Sequence, residues 1–256
     1  MSAVVATDDA DASETRLLGG RVTLFQPARG YRAAIDPVLL AAAVPGEVPA
    51  RVPARWLELG CGTGAALVCF AARVPAVPVI GLEREAAAAG LARRSVAASG
   101  LDDRVTVIEG DLADPPAAIE PGGFGVVFAN PPFLEAGRAT APPDAGRRAA
   151  HVEGEAGVAA WVDAAHRALA PRGRLVLIHR ADRVDALLAA LVPRFGAIEI
   201  LPLWPRQGRD ARRVVLRATK GARSPARLAA GLVLHDAAGR FTAEAEAVLR
   251  HAAPLG

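Results

Sequence analysis

Strand-like and helical segments alternate from Trp56 to Ala218, and this alternation limits the possible folds more than any other feature of the chain. Seven short apolar runs are predicted strands, at 56–59, 77–83, 105–108, 124–129, 173–179, 198–203 and 213–218. Helical segments separate most of them, which is typical of a parallel sheet with helices on both faces. The last two runs have no helix between them. We therefore predict a doubly wound, mostly parallel α/β fold, with a seven-stranded sheet and a terminal antiparallel strand.

The composition excludes several classes of protein. The 256 residues are 52% hydrophobic, with a mean hydropathy of +0.25, which is too apolar for a mostly disordered chain. No apolar run approaches the roughly 20 residues that a membrane span needs, and the acidic first residues lack the apolar core of a signal peptide. Cys61 and Cys69 are not spaced as metal ligands. We expect buried thiols, no metal, no membrane association and a cytoplasmic location.

Positive charge is concentrated in the segment 206–227. It contains one acid, Asp210, and eight basic residues: Arg206, Arg209, Arg212, Arg213, Arg217, Lys220, Arg223 and Arg227. The segment therefore has a net charge of +7, whereas the rest of the chain has a net charge of −4. A basic segment on a mildly acidic body suits a polyanionic partner such as a nucleic acid. A solvated, arginine-rich edge explains the same charge equally well.

The sequence Asn130-Pro131-Pro132-Phe133 directly follows the predicted buried strand at 124–129. The Asn130 side-chain oxygen accepts hydrogen bonds, and a proline removes a backbone donor while its carbonyl remains an acceptor. Two acceptors that converge on an NH2 group, with the Phe133 ring stacked beside it, would hold a base or an amide by its amino group. We therefore predict that these four residues act at the reacting nitrogen of a substrate.

A second group of residues lies at the ends of the first three predicted strands. It comprises Glu58, Gly60, Gly62, Gly64, Glu83, Asp111 and Leu112. Glycines in a turn between a strand and a helix permit positive φ angles and the close approach of a ligand. Glu83 ends the next strand, where an acid accepts hydrogen bonds from the hydroxyls of a ribose. A single glycine-rich turn is weak evidence, but the ordered set predicts a nucleotide-like cofactor.

The ordered set of E-x-G-x-G-x-G, Glu83, Gly-Asp111-Leu112 and Asn-Pro-Pro-Phe resembles the class I S-adenosylmethionine-dependent methyltransferases. Asn130–Phe133 resembles the branch with N-P-P-[YF], which methylates exocyclic or amide nitrogens. Two flanking segments, 26–40 and 203–221, resemble bacterial enzymes that methylate the N6 amino group of an adenine beside the anticodon of a valine tRNA. Phe133 stands where tyrosine is common, which keeps the ring but not the hydroxyl.

This resemblance implies S-adenosylmethionine as the cofactor and tRNA as the substrate. It implies cofactor-binding roles for the residues at the strand ends named above and for Arg32 and Asp36 in the flank before the first strand. With the basic segment it also implies an RNA-binding surface, for which the candidates are Arg206, Arg209, Arg212, Arg213 and Lys220. The long segment 134–153 follows the predicted clamp, so we expect it to form a lid that faces the substrate.

Four regions follow from this interpretation. We predict a disordered leader at 1–15, an N-terminal flank at 16–55 that contributes to the cofactor site, a methyltransferase domain at 56–222 and a C-terminal extension at 223–256. The sequence makes no prediction about the oligomeric state.

Other functions use similar motifs. A glutamine N5-methyltransferase that acts on release factors and a guanine N2-methyltransferase that acts on ribosomal RNA both stay open. A non-catalytic RNA-binding protein with this fold is a third alternative, which the intact glycine turn disfavours. An NAD-type oxidoreductase is disfavoured by the G-x-G-x-G spacing, which differs from that of dinucleotide-binding turns.

Overall fold

The computed structural model describes residues 12–28, 35–132, 157–192 and 194–256, and the backbone of 134–135 and 152–153. The strands in the described residues are β1 (Ala12–Leu17), β2 (Val22–Pro27), β3 (Trp56–Leu59), β4 (Val79–Glu83), β5 (Val105–Glu109), β6 (Phe124–Ala129), β7 (Leu134–Glu135), β8 (Val152–Glu153), β9 (Leu169–Arg180), β10 (Phe195–Arg206), β11 (Arg213–Lys220), β12 (Arg227–Leu228) and β13 (Leu232–His235). The α-helices are α1 (Asp36–Ala43), α2 (Ala65–Arg73), α3 (Ala86–Ala98), α4 (Gly157–Ala168), α5 (Val184–Leu191) and α6 (Ala243–His251).

The central sheet has the strand order β12-β10-β11-β9-β6-β3-β4-β5, and β13 also pairs with β10. The seven predicted strands are all present, so the predicted fold class is confirmed. Two short strands of the C-terminal extension, β12 and β13, add to the outer side of β10 and raise the total to nine. The antiparallel strand β11 lies between β9 and β10 and pairs with both, so it is inside the sheet.

Eight of the nine strands of this sheet, all but β11, run in the same direction, and we call the edge at which they end the carboxyl edge. Strands β3, β4, β5, β6 and β9 are mutually parallel. Strand β10 runs in the same direction, because it is antiparallel to β11, which is antiparallel to β9. The β10–β11 turn therefore lies at the carboxyl edge as well. Ligands of open α/β sheets bind outside this edge.

Helices cover both faces of the sheet and bury its apolar side chains in two cores. Helices α1, α2, α3 and α6 pack on one face, and α4 and α5 pack on the other. The continuous apolar run in β6 is buried along its whole length, as expected of a central parallel strand. This packing leaves the polar residues that follow each strand at the carboxyl edge.

The N-terminal region is more ordered than predicted. Residues 12–15 belong to β1, which forms a hairpin with β2, so that part of the predicted disordered leader is wrong. The outer side of β2 is held by two serines, Ser95 in α3 and Ser99 directly after that helix. The Ser95 hydroxyl accepts a hydrogen bond from the Phe25 N–H at 2.9 Å, and the Ser99 hydroxyl accepts one from the Thr23 N–H at 3.0 Å. These side chains take the place of a neighbouring strand.

Two connections at the carboxyl edge are irregular. Residues 110–123 cross from β5 to β6 without a helix. Within the predicted lid, the short strands β7 and β8 pair in parallel with each other, and most of that segment lies outside the described residues. The role of the lid therefore stays a prediction.

We expect Ser95→Ala to destabilise the protein by about 1–3 kcal/mol, because it leaves the Phe25 N–H without its acceptor. Urea unfolding measures this loss. Ser13→Ala is the matched control, since Ser13 lies in the same hairpin but makes only a 3.5 Å contact with the Gln26 carbonyl. Equal unfolding midpoints for the two variants would contradict the proposed docking of the hairpin by serine.

Candidate functional site

The candidate site lies where the order of the strands reverses. The chain proceeds from β3 outward to β4 and β5, and it then returns to β6 on the other side of β3. Strands β3 and β6 pair in parallel, and in their register Leu59 is opposite Ala129. The glycine loop that follows Leu59 and the Asn130 sequence that follows Ala129 therefore leave the sheet side by side. Such a reversal creates a crevice for ligands at the carboxyl edge.

The three glycines of the loop all have left-handed backbone conformations, with φ of +61° at Gly60, +56° at Gly62 and +85° at Gly64. Their surroundings differ. A Cβ atom at Gly60 would lie 2.4 Å from the ring of Trp161, whereas a Cβ at Gly62 would meet nothing within 4 Å. Gly60 therefore allows Trp161 to pack closely on the loop, and Gly62 leaves space for a ligand.

Trp161 is a site residue that sequence reasoning missed. It lies on α4, the first helix after the predicted lid, and it is half-buried against Gly60. The helical pattern of α4 explains an apolar residue at this position. It does not indicate that this residue contacts a loop about 100 positions earlier in the chain.

Glu83 fixes the glycine loop against the end of β4. Its carboxylate accepts hydrogen bonds from the Gly62 N–H and the Glu85 N–H, both at 2.8 Å. Each carboxylate oxygen has a further lone pair. The predicted position of Glu83 beside the cofactor crevice agrees with this geometry, and the residue also has a structural role that the sequence did not suggest.

Glu58 lies beneath the loop and is buried. Burial, and second the neighbouring Glu83 carboxylate, raise the pKa of Glu58 well above its ordinary value, while a hydrogen bond from the Leu67 backbone acts in the opposite direction. Its Oε2 atom has no hydrogen-bond partner among the described residues. Glu58 therefore supports the start of α2 as an uncharged carboxyl group.

Asp111 and Leu112 follow β5 at the same edge. The Asp111 carboxylate accepts a hydrogen bond from the Ala113 N–H at 2.8 Å, which closes a turn. Leu112 is half-buried beside α4, and its carbonyl accepts a hydrogen bond from Arg167 at 2.9 Å. Both residues therefore flank the crevice from the side opposite Asn130.

Asn130 presents a buried acceptor to this crevice. Its Oδ1 atom is inaccessible to solvent and has no hydrogen-bond partner within the part of the chain that the structure describes. A buried polar atom without a partner is costly, and at the end of β6 a ligand in the crevice would supply that partner. Pro131 is buried and Pro132 is half-buried, which fixes the backbone around Asn130. Phe133 lies outside the described residues, so its stacking role stays a prediction.

The N-terminal flank contacts the site through Asp36. The Asp36 carboxylate accepts a hydrogen bond from the Arg213 guanidinium at 2.8 Å, and the two side chains form an ion pair. This pair connects the start of α1 to the start of β11. Asp36 and Arg213 were predicted to bind the cofactor and RNA respectively, and here each is engaged with the other. Arg32 lies outside the described residues.

The basic segment does not form one surface. Arg206, Arg209 and Arg212 are exposed in or beside the β10–β11 turn at the carboxyl edge. Lys220 ends β11 at the opposite edge, where its ammonium group donates hydrogen bonds to the His166 and Leu169 carbonyls, both at 2.7 Å. Lys220 therefore caps the end of α4, and its position does not suit the predicted RNA contact near the crevice.

His179 is a buried histidine near the site that sequence reasoning did not single out. It lies in β9 two positions beyond Leu177, which is opposite Ala129, and it is opposite Val214 of β11 near the carboxyl edge. Burial is the main reason that the pKa of His179 falls to about 4, and nearby arginines lower it further. Its imidazole is therefore neutral at physiological pH.

Comparison with known proteins identifies the family. Residues 57–173 match the family model described as a methyltransferase domain. The chain is 31% identical over 232 residues to the tRNA1(Val) (adenine(37)-N6)-methyltransferase of Porphyromonas gingivalis, and the match covers 88% of this chain and 89% of that protein. The chain belongs to this methyltransferase family. Its enzyme class and its cofactor, S-adenosylmethionine, are those that the sequence predicts.

Two further comparisons bear on this assignment. A crystal structure of a predicted O-methyltransferase from Agrobacterium tumefaciens has 29% sequence identity and a TM-score of 0.69, and it covers 86% of this chain and 98% of its own. The release factor glutamine methyltransferase of Deinococcus radiodurans is 40% identical over 91 residues, but that match covers only 35% of this chain and 31% of the relative. The adenine-N6 methyltransferase family therefore accounts for far more of the molecule.

The described residues fit S-adenosylmethionine. The cofactor has a ribose and a positively charged sulfur, and the crevice offers open space above Gly62 and the carboxylates of Glu83 and Asp111. Within the described ranges, no three metal-ligating side chains come together and no helix is long and apolar enough to cross a membrane.

Replacement of Glu58 changes how stability depends on pH. The folded protein holds the Glu58 proton more tightly than the unfolded chain does, so the wild type loses stability as pH rises above about 4.5 toward the raised pKa. Glu58→Gln has no such proton to lose. Denaturant unfolding between pH 4 and 8 measures the free energy of unfolding of both proteins. We expect the glutamine variant to gain stability relative to the wild type as pH rises. Free energies of unfolding that change with pH in parallel for the two proteins would contradict the raised pKa of Glu58.

Replacement of Lys220 tests its structural role. We expect Lys220→Met to keep the packing of the apolar stem but to lower the free energy of unfolding by roughly 1–3 kcal/mol, since two carbonyls lose their donor. Arg209→Gln is the control, because Arg209 is exposed at the other edge. Thermal unfolding measures both variants, and a Lys220 variant as stable as the Arg209 variant would argue against the cap.

Proposed function

We propose that this protein transfers a methyl group from S-adenosylmethionine to the exocyclic N6 amino group of an adenine in tRNA, near the anticodon. The observation that supports this most directly is the buried Asn130 Oδ1 atom, which has no partner in the described structure and lies beside the glycine loop. The relative from Porphyromonas gingivalis is named for this reaction at adenine 37. We also propose a cytoplasmic location, because tRNA is available there.

The reacting amino group is held by two acceptors. The Asn130 Oδ1 atom accepts one N6–H bond and the Pro131 carbonyl accepts the other, which leaves the nitrogen lone pair directed out of the adenine plane. The lone pair of a free adenine amino group is delocalised into the ring, so this orientation raises its availability. Fixed acceptors also favour the positive charge that develops on nitrogen as the new bond forms.

The cofactor supplies a methyl group bonded to a positively charged sulfur. Gly62 gives it access to the loop backbone, and Glu83 offers the free lone pairs of its carboxylate to the ribose. Asp111 lies at the next strand end, on the side where an adenine ring of the cofactor would sit. Phe133 is the predicted stacking partner of the substrate base.

The reaction does not need a strong general base. Nitrogen forms the new bond to the methyl carbon, the bond from carbon to sulfur breaks, and the nitrogen then loses one proton to solvent. His179 lies near the carboxyl end of β9 and is neutral, but it is fully buried, so it does not exchange protons with water.

A base in folded RNA must leave its stack to reach this crevice. Single-stranded loops reduce the free energy that this requires, and an anticodon loop is such a segment. The exposed arginines Arg206, Arg209 and Arg212 lie at the same edge of the sheet as Asn130. They are placed to contact the phosphates that flank the target nucleotide.

The test uses methyl-labelled S-adenosylmethionine and bulk tRNA that lacks the modification, followed by mass spectrometry of the nucleosides. We expect N6-methyladenosine. We expect Asn130→Ala to lower kcat by at least about 100-fold, by analogy with loss of one hydrogen-bonding group at a reacting centre, with little change in cofactor affinity. Labelled N2-methylguanosine, or label in a release factor and not in tRNA, would assign one of the rival activities.

A further inference from the structure

The carboxyl edge of the sheet is divided by charge. On one side of β6, Glu83 ends β4 and Asp111 follows β5, with Arg84 as the one basic residue directly after these strands. On the other side, four strands have an arginine at this edge: Arg180 ends β9, Arg212 and Arg213 lie at the start of β11, Arg206 ends β10 with Arg209 in its turn, and Arg240 follows β13. Three of these arginines form ion pairs with acids on the same side: Arg180 with Asp182, Arg213 with Asp36 and Arg240 with Asp236. Asn130 follows β6 and so lies at the boundary between the two sides.

The C-terminal extension supplies the outermost of these arginines. Strand β13 pairs in parallel with β10, and its register places His235 opposite Arg206. The turn that follows His235 therefore lies at the carboxyl edge beside the end of β10. Close contact confirms this position, since a Cβ atom at Gly239 would lie 3.2 Å from the Arg206 guanidinium.

This turn has a fixed structure. The His235 ring stacks on Phe241 with centroids 4.8 Å apart, and its Nδ1 atom lies 3.1 Å from the Pro205 carbonyl. Thr242 caps α6 by accepting a hydrogen bond from the Ala245 N–H at 3.1 Å. The Arg240 guanidinium is thus presented from a rigid support, which lowers the entropy lost when it binds a ligand.

Arg240 is available to an anion despite its ion pair with Asp236. The side chain of Arg240 is 81% exposed, and that of Asp236 is 34% exposed. Ion pairs between exposed side chains contribute little to stability because water screens them. A phosphate group can therefore share or replace the Asp236 carboxylate at small cost.

The arrangement of the strands gives the length of the basic side. Four strand-to-strand steps separate β6 from β13, and at about 4.8 Å for each step β13 lies roughly 19 Å from β6. A polyanionic strand that extends from Asn130 over β9, β11 and β10 meets an arginine at each step. The same strand placed over β4 and β5 would meet Glu83 and Asp111.

We propose that the C-terminal extension forms the outer end of the RNA-binding surface, where Arg240 and Arg206 together bind the phosphate backbone of the substrate RNA while its target base lies at Asn130. This proposal rests on the proposed function, because it takes RNA as the substrate. It assigns a binding role to the 223–256 region, and it directs the RNA over β9–β13 and away from the cofactor side.

The test measures binding of bulk tRNA as a function of salt for Arg206→Gln/Arg240→Gln. We expect the slope of log K against log salt to fall by about 1 for each arginine that contacts a phosphate, and affinity near 0.1 M salt to fall several-fold. Arg250→Gln is the matched control. Arg250 also forms an i,i+4 ion pair, with Glu246, and is exposed, but it lies at the far end of α6.

The outcomes separate this proposal from the function on which it rests. A slope reduced by about 2 for the double variant, which requires both arginines, with the wild-type slope for Arg250→Gln and unchanged affinity for S-adenosylmethionine in both, supports it. If the double variant keeps the wild-type salt dependence and still methylates tRNA, the role of the extension is overturned but the proposed function is not. An equal reduction in both variants also overturns it. A wild-type protein that neither binds nor methylates tRNA overturns the proposed function as well.

Discussion

The pairing of β3 with β6 is the constraint on which the rest of the site depends. It places Leu59 opposite Ala129, and so the glycine loop and Asn130 leave the sheet as neighbours although 70 positions separate Gly60 from Asn130. The loop gives access to the cofactor and Asn130 gives an acceptor for the substrate. If this register slipped by one residue, each side chain would point to the opposite face of the sheet and both sites would be lost.

Much of the fold follows from local sequence. The predicted bounds of β3 and β6 are those of the structure, because each segment is strongly apolar and is limited by glycine or proline. The C-terminal extension gave weaker signals, since β12 and β13 are short and are stabilised mainly by pairing with β10.

The roles of charged residues were harder to predict because their partners are distant in sequence. Arg213 pairs with Asp36 across 177 positions, and Lys220 binds carbonyls more than 50 positions earlier. A count of charges places Arg213 and Lys220 in one basic segment. In the structure they are the first and last residues of β11, so they lie at opposite edges of the sheet. What remains at the carboxyl edge is a smaller group of arginines, on the side of Asn130 away from the cofactor crevice.

The central claim is that the Asn130 Oδ1 atom receives the amino group of the substrate. The most direct measurement is a crystal structure of the protein with S-adenosylhomocysteine and adenosine. The account predicts the adenosine N6 atom within hydrogen-bond distance of Asn130 Oδ1 and of the Pro131 carbonyl, with the sulfur in line beyond it. A structure in which another side chain of the protein occupies the Asn130 acceptor, with the base bound elsewhere, would contradict it.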